Sequence, residues 1–381
     1  MSKRTAIYHI NEALAKLPVD SEWDFHEEDT QEHLHALHPY PARFIPQIPQ
    51  KAISQWSHPG DLVLDPFCGC GTTILESILL GRPAIGIDNN DVAILISRAK
   101  TTHYSFQDLR ILEKFLEELD FIVSSSESSI SIPDYKNIEY WFCEEALADL
   151  AKLRTAVYQL PERTKLLALA VFSSIIVRVS NQDSDTRYAR INKTYQSGNA
   201  IEWFRSRLID VIERVRMIIE LPKATASVYG ADSRNLEFIS NDSIDLIVTS
   251  PPYINAYDYH KYHRHRIHWI EGNVTLARDT EIGKHDTFTR PRATPDRYFK
   301  DMYKCFREWT RVLVPGGHAF VVIGDGIVGG KPVPVGDTFI ELGEDAGLTF
   351  NERWIRSLLK EKKSFNQYAR IDKEHLLLFK K

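Results

Sequence analysis

One stretch constrains this chain more than any other: a short apolar run that ends in an acid and opens directly into a glycine-rich turn. Leu62-Val-Leu-Asp65 leads into Pro-Phe-Cys-Gly-Cys-Gly-Thr-Thr73, then an apolar stretch to Leu80 closed by Gly81, then Ala84-Ile-Gly-Ile-Asp88. Short, nearly continuous apolar runs are the mark of strands buried on both faces of a parallel sheet. The stretch between them fits one crossover helix, and Gly81 suits the left-handed residue that closes a helix. Strand, helix and strand with short links predict a right-handed parallel crossover. A second helix is predicted over Val92 to Lys100.

The rhythm breaks at residue 101. Helical patterns cover Leu109 to Leu119, Glu144 to Leu160, Lys165 to Val179 and Ala200 to Leu221, interrupted by a Ser-rich link over 124–129. Strand patterns resume at Ala226 to Asp232 and Ile244 to Thr249. A helix over Tyr298 to Val314, a Pro315-Gly-Gly317 turn and a strand over His318 to Ile323 follow. Thr338 to Ala346 reads as helix, and Phe350 to Leu358 and His375 to Phe379 as closing strands. Upstream, a short helical pattern spans Ile10 to Leu17, and the Pro-punctuated His38 to Gln50 reads as a fixed loop entering a helix that Lys51 to Trp56 continues. The expectation is an α/β, Rossmann-like sheet of about seven strands built from residues 1–100 and 226–381, with a mostly helical insertion at 101–225.

Composition narrows the class. With 381 residues, 43% hydrophobic and 26% charged, the chain matches a globular protein. No apolar run approaches the roughly eighteen residues of a membrane span, and no signal-peptide pattern is evident, so a cytoplasmic protein is expected. Cys68, Cys70, Cys143 and Cys305 are too few and scattered for a disulfide scaffold; Cys68 and Cys70 read as small turn residues, not metal ligands. Net charge is −5, yet residues 163–216 carry ten Lys/Arg against five Asp/Glu, and 255–311 twelve against eight. Local basic faces of this kind are compatible with nucleic acid.

The strand ends carry the chemistry. In an open parallel sheet, ligands bind beyond the carboxyl ends of the strands. There Gly69 and Gly71 allow a tight turn and close backbone approach, and Thr72 and Thr73 open a helix. Asp88 ends the second strand, where a carboxylate accepts ribose hydroxyls. Asp232 ends the third, placed for the amino group of a purine. The turn lacks the Gly-Lys-Ser/Thr of a triphosphate loop, and on this turn alone a dinucleotide site stays open. Thr249-Ser-Pro-Pro-Tyr253 after the Ile244 strand offers a hydroxyl, rigid backbone carbonyls and an aromatic face, a kit for a flat base bearing an exocyclic amine.

At this point the chain resembles the amino-group DNA methyltransferases. Asp65-Pro-Phe-Cys-Gly-Cys-Gly-Thr-Thr73 resembles their cofactor loop, with Cys70 where Ser is common. His38-Pro-Tyr-Pro-Ala-Arg-Phe-Ile-Pro46 resembles the segment that closes over the cofactor, and Thr249-Ser-Pro-Pro-Tyr253 the catalytic motif. The resemblance implies S-adenosylmethionine as cofactor, held by Tyr40, Pro41, Phe44, Asp65, Phe67, Gly69, Gly71, Thr72, Thr73, Asp88, Asn89 and Asp232. It implies Ser250, Pro251, Pro252 and Tyr253 as the catalytic group, and double-stranded DNA as substrate, with a cognate restriction endonuclease as a partner. Serine at the variable first position tilts the choice to cytosine N4. Adenine N6, an RNA amino group and a non-catalytic nucleic-acid-binding module remain open alternatives. Ring-carbon methylation needs a cysteine nucleophile, and no cysteine here stands in a Pro-Cys context.

Two polar segments complete the candidates. Ser180 to Tyr188 offers hydrogen-bonders for base edges or phosphates, and Asn255 to Trp269 interleaves aromatic and basic residues. Asn181, Asp183, Arg187, Tyr257, His260 and Arg264 are the expected DNA contacts. His260, His263, His265 and His268 lack matching carboxylate or cysteine spacing, so no metal is expected. Thr287 to Pro295, with Arg290 and Arg292, reads as a loop near substrate.

Overall fold

The strands that the apolar runs predict do form one sheet. The structure, a computed structural model, describes residues 19–43, 45–125, 132–221, 223–255, 257–289, 292–358 and 373–381. The helical pattern at Ile10 to Leu17, Phe44 and Arg290 lie outside them. The sheet comprises β1 (Val63–Asp65), β2 (Ala84–Asp88), β3 (Ala226–Gly230), β4 (Ile244–Thr249), β5 (Leu313–Ile323), β6 (Thr349–Ser357) and β7 (Lys373–Lys380). Their spatial order is β6-β7-β5-β4-β1-β2-β3. β1 pairs in parallel with β2 and β4, β2 with β3, and β4 with β5. β7 runs antiparallel between β5 and β6. This is the expected Rossmann-like sheet of seven strands.

The order sets the site. From β1 the chain works outward to β2 and β3, then returns to the other side of β1 as β4. The carboxyl ends of β1 and β4 therefore part at the topological switch point, where such sheets bind ligands.

Strand burial alternates with period two. Val63, Leu246, Val248, Phe320, Val322, Leu376 and Leu378 point into one apolar layer. Leu64, Ile87, Ile247, Val321, Ile323 and Leu377 point into the other. The second layer is closed by α8 (Asp296–Val312) and α9 (Val335–Asp345), which supply Phe306, Trp309 and Phe339. The first is closed by α1 (Gln47–Trp56), α2 (Thr72–Leu79) and α3 (Asp91–Thr101).

The helical insertion extends that first layer. Its long helices are α4 (Phe106–Ser125), α5 (Glu144–Tyr158), α6 (Glu162–Val179) and α7 (Asn199–Ile218). Leu112, Phe172 and Phe204 belong to the same buried cluster as Val63 and Phe320. The block thus shares its core with the sheet, a second tier of helices packed against α3. Among the described residues no helix is long and apolar enough to cross a membrane.

Two elements differ from expectation. The polar run after Val179 turns back on itself as an antiparallel hairpin, Gln182–Ser184 with Arg187–Arg190. β5 begins at Leu313, not after the glycines: Gly316 takes φ +87°, and pairing with β4 shifts register between Ile244 and Leu246. A Cβ on Gly317 would stand 2.9 Å from the Asp245 carbonyl oxygen, so the strand passes this point only with glycine there.

Candidate active site

The glycine turn is built by backbone sterics and closed by hydrogen bonds. Gly69 (φ +48°) and Gly71 (φ +76°) occupy the left-handed region that costs an L side chain. A Cβ on Gly71 would meet Ser97 Oγ at 2.8 Å and its Cα at 3.0 Å, so α3 packs directly on the turn. Ser97 Oγ donates to the Gly69 carbonyl at 2.7 Å. The Gly69 N–H donates to Asp88 Oδ2 at 3.0 Å, and the Asn90 N–H to Asp88 Oδ1 at 2.9 Å. Asp88 is thereby fixed by two neutral donors. Burial pushes its carboxyl up to about 6 against the pull of those N–H groups.

Ser250 and the turn meet through Asp65. Thr249 Oγ1 donates to Asp65 Oδ1 at 2.7 Å, and the Phe67 N–H donates to the same oxygen at 3.1 Å. At the opposite ends of these strands, the Leu62 N–H donates to Asp245 Oδ2 at 2.7 Å. β1 and β4 are cross-tied at both ends, so the two loops they carry keep one relative position. Asp65 is buried, and burial raises its carboxyl to about 6.

Between the loops lies a cavity whose walls combine both motifs. Phe67, Gly69, Thr72, Asp88, Asn89 and Asp232 line it from the glycine-turn side, Tyr40 lines its rim, and Ser250 and Pro252 line the far side. Asp65, Gly71 and Thr73 are buried behind the wall, where they hold the turn and do not line the cavity. Pro41 is buried as well. The glycine cradle, the aromatic faces of Phe67 and Tyr40 and the Asp88 carboxylate fit a nucleoside, and so fit S-adenosylmethionine. No lysine follows the turn to hold a triphosphate.

Asp232 sits differently from expectation. Arg234 grips it: Nε donates to Oδ1 at 2.9 Å and Nη2 to Oδ2 at 2.6 Å, while Nη1 pairs with Asp301 at 3.1 Å. Burial pulls the Asp232 carboxyl upward, but the Arg234 hydrogen bonds prevail and hold it below the usual carboxylate range.

The Pro-rich segment is anchored into the insertion. His38 is buried, with Nδ1 on the Pro39 carbonyl at 2.7 Å and Nε2 on Ser173 Oγ of α6 at 3.1 Å. Burial holds its ring well below the ordinary histidine range. Tyr40 then stacks on His263, ring centroids 4.9 Å apart, and lies 6.1 Å from Tyr259. His263 contacts Arg266, which is fully buried, donates to the Ser173 carbonyl at 3.0 Å and pairs with Asp185 in the hairpin. A chain of packed side chains thus links the hairpin to the ring at the rim of the cavity.

In the Ser-Pro-Pro-Tyr turn, Pro251 is buried, and the Pro252 carbonyl accepts from Tyr298 at 3.0 Å. Tyr253 stands beside the cavity, not in its wall, and donates to Glu374 Oε1 at 2.7 Å.

The six expected DNA contacts do not reach the cavity wall. Asn181 Oδ1 accepts from the Lys193 N–H at 3.1 Å, a loop brace. Asp183 and Arg187 face each other across the hairpin at 3.3 Å, with Arg187 exposed. Tyr257 packs its ring 5.6 Å from Tyr259, and Arg264 is half-buried on the helix Arg264–Trp269. His260 is buried against Glu281, Nδ1 to Oε2 2.6 Å, and so is not free to meet DNA.

Asp258, His260 and Glu281 do come together, one ligand atom of each within 4.8 Å. Their atoms are already partnered. Glu281 accepts the Tyr259 and His260 N–H groups at 2.8 and 3.1 Å, and Asp258 accepts from Lys261 Nζ at 3.1 Å. The group braces the post-motif segment.

Arg43, Asn90, Ser233, Tyr259, Thr280 and Glu281 also line the cavity and were not anticipated. Asn90 carried a local signal, as the N-cap that accepts the Val92 N–H at 3.0 Å, and Arg43 and Tyr259 fall within the closing segment and the aromatic-basic run. Glu281 and Thr280 arrive through tertiary packing, Thr280 by accepting from Asn89 Nδ2 at 2.8 Å.

Comparison with known proteins agrees with this geometry. The sequence profile of a family described as DNA methylase matches residues 7–98, which include the closing segment and the glycine turn. The chain is 26% identical over 285 residues to Type II methyltransferase M.MvaI of Kocuria varians, covering 69% of this chain and 62% of that protein. It is 22% identical over 409 residues to Type II methyltransferase M.MjaII of Methanocaldococcus jannaschii, covering 81% and 76%. It is 26% identical over 268 residues to Type II methyltransferase M.BsoBI of Geobacillus stearothermophilus, covering 61% and 52%. The chain therefore spans less than two thirds of two of these three relatives. By this profile across the glycine turn and by these relatives, the chain is similar to the amino-group DNA methyltransferases.

Proposed function

We propose that the protein is a site-specific DNA methyltransferase that moves a methyl group from S-adenosylmethionine to an exocyclic amine, cytosine N4, of a base turned out of the duplex. One observation carries this reading: the Thr249–Asp65 hydrogen bond sets the Ser-Pro-Pro-Tyr turn against the glycine turn, so that both line one cavity. S-adenosylmethionine supplies, when bound, an electrophilic methyl group on a sulfonium. The Gly69–Gly71 cradle and Tyr40 would hold it, and the Asp88 carboxylate would accept its ribose hydroxyls.

The remaining steps belong to the chain's own residues. The amine of cytosine is a weak nucleophile because its lone pair is delocalised into the ring. Ser250 Oγ and the Pro251 carbonyl accept hydrogen bonds from the two amine hydrogens and draw electron density back onto nitrogen. The Tyr253 ring stacks on the base. Tyr298, by holding the Pro252 carbonyl, keeps the turn rigid. Positioning and fixed dipoles then do most of the catalysis. A base inside the duplex cannot reach this cavity, so it must be flipped. The exposed hairpin arginines Arg187 and Arg190 lie on the surface linked through Asp185 and Arg266 to Tyr40, which supports a DNA-facing role for the insertion. Serving beside a restriction endonuclease is the matching cellular role.

The test is incubation with methyl-labelled cofactor and unmethylated duplex DNA or transfer RNA, followed by digestion to nucleosides. Label in N4-methylcytosine from DNA is the expected result. Label in N6-methyladenine would overturn the base assignment alone, and label only in RNA would overturn the substrate.

A further inference from the structure

Tyr253 is held at its far end by a buried ion pair that lies in another part of the sheet. Its hydroxyl donates to Glu374 Oε1 at 2.7 Å, and Glu374 Oε2 pairs with Arg356 Nη1 at 3.2 Å. Glu374 is 9% exposed and Arg356 6%. The two are direct cross-strand partners, Arg356 on β6 and Glu374 at the start of β7. β4 and β7 are not neighbours, because β5 lies between them. The side chain of Tyr253 therefore reaches past the end of β5 to find its acceptor.

The ion pair would satisfy its own charges without a phenol. Paired cross-strand charges balance one another, and a buried pair is only weak evidence of stabilisation. What the third member adds is direction. A tyrosine ring has two rotatable bonds; fixing its hydroxyl to a buried charged acceptor fixes the axis along which the ring projects, and the in-plane preference of a phenolic O–H then biases its plane. Hydrogen bonds to charged acceptors are also shorter and stronger than neutral ones. The other end of the turn is fixed as well, by Tyr298 on the Pro252 carbonyl. The ring is pinned before any base arrives.

We propose that Glu374, supported by Arg356, is a positioning residue that presents the Tyr253 ring to the flipped base. The proposal rests on the reading of Tyr253 as the stacking face.

The test is a double-mutant cycle on the full chain with duplex substrate. Tyr253→Phe keeps the ring and the ion pair and removes the hydroxyl from both Glu374 and the neighbouring Ser250, so Glu374→Ala is the variant that isolates the Glu374 contact. Glu374→Ala removes the acceptor, and Glu374→Gln restores one. Loss of one hydrogen bond to a charged group should lower kcat about tenfold in Tyr253→Phe and in Glu374→Ala. KM for the cofactor should stay within about twofold, since the turn that holds it is untouched. The double variant should be no slower than the slower single, because both remove the same contact. Glu374→Gln should recover most of the rate. With 2-aminopurine at the target position, Tyr253→Phe should leave the flipped base brighter than wild type does, because stacking quenches it. Wild-type kcat in Tyr253→Phe, or effects that multiply in the double variant, would overturn the proposal. Absence of transfer by the wild-type chain would instead overturn the methyltransferase reading beneath it.

Discussion

Asp88 and Asp232 follow neighbouring parallel strands, β2 and β3, and line the same cavity, yet they are in opposite electrostatic states. Asp88 takes only backbone N–H groups, from Gly69 and Asn90, and burial lifts its carboxyl to about 6. Asp232 is equally well positioned but is gripped by Arg234, which also reaches Asp301. Burial raises its carboxyl less than the Arg234 hydrogen bonds lower it. Position at a strand end brings an acid to the ligand. Whether that acid is free to bind depends on its neighbours. Asp88 is braced by donors that leave its charge uncompensated, and a ligand's hydroxyls can complete it. Asp232 is already neutralised.

This contrast can be broken most directly by truncation. Asp88→Ala should weaken S-adenosylmethionine binding about a hundredfold, the loss of two hydrogen bonds to a charged acceptor, while Asp232→Ala should cost only about fivefold. Equal losses in a calorimetric titration would erase the distinction.

A second effect is set by pH. Asp88 in the folded protein holds its proton up to about 6, well above its ordinary 3.8. Only the ionised carboxylate is the strong acceptor. Cofactor affinity should therefore climb as pH rises through about 6 and level off above it, and Asp88→Asn should flatten that rise. The sign for folding is the reverse. The native state binds more protons than the unfolded chain between 3.8 and about 6, so this group costs stability as pH rises through that window. The Tm of Asp88→Asn relative to wild type should shift in the variant's favour over the same window. A constant difference in Tm would show that Asp88 does not carry the burial cost.

The smallest expected effect is at Arg234. Arg234→Gln loosens its grip on Asp232 and leaves Asp88 untouched, so cofactor affinity should change by no more than about threefold, the scale of one weakened hydrogen bond. A tenfold gain on freeing Asp232 would mean that Arg234 restrains the site.

The sequence made the Asp88 side of the cleft readable because local rules govern it. β2 and β4 end where their apolar runs end, at Asp88 and Thr249, since a strand buried on both faces leaves no choice of register. Gly69 and Gly71 announced a turn that only glycine makes at little cost. The opposite side depends on contacts between distant residues. His260 stands among the expected DNA contacts in a basic aromatic run, but a carboxylate 21 residues on, Glu281, pairs with it. Glu374 gave no sign of reaching Tyr253, 121 residues away. The strands of the hairpin at 182–190 are three and four residues long and carry no apolar alternation, so nothing in that polar run announces a hairpin.

The central claim is that Ser250 and the glycine turn act on a single bound base and cofactor. Single-turnover methyl transfer to duplex DNA, with the product nucleoside identified, tests it for wild type and Ser250→Ala. The account predicts N4-methylcytosine from wild type and a rate at least about a hundredfold lower in the variant, on the scale of losing one preorganised hydrogen-bond partner of the reacting group, with cofactor affinity unchanged. An equal rate in Ser250→Ala, or a methyl group found on a ring carbon, would contradict it.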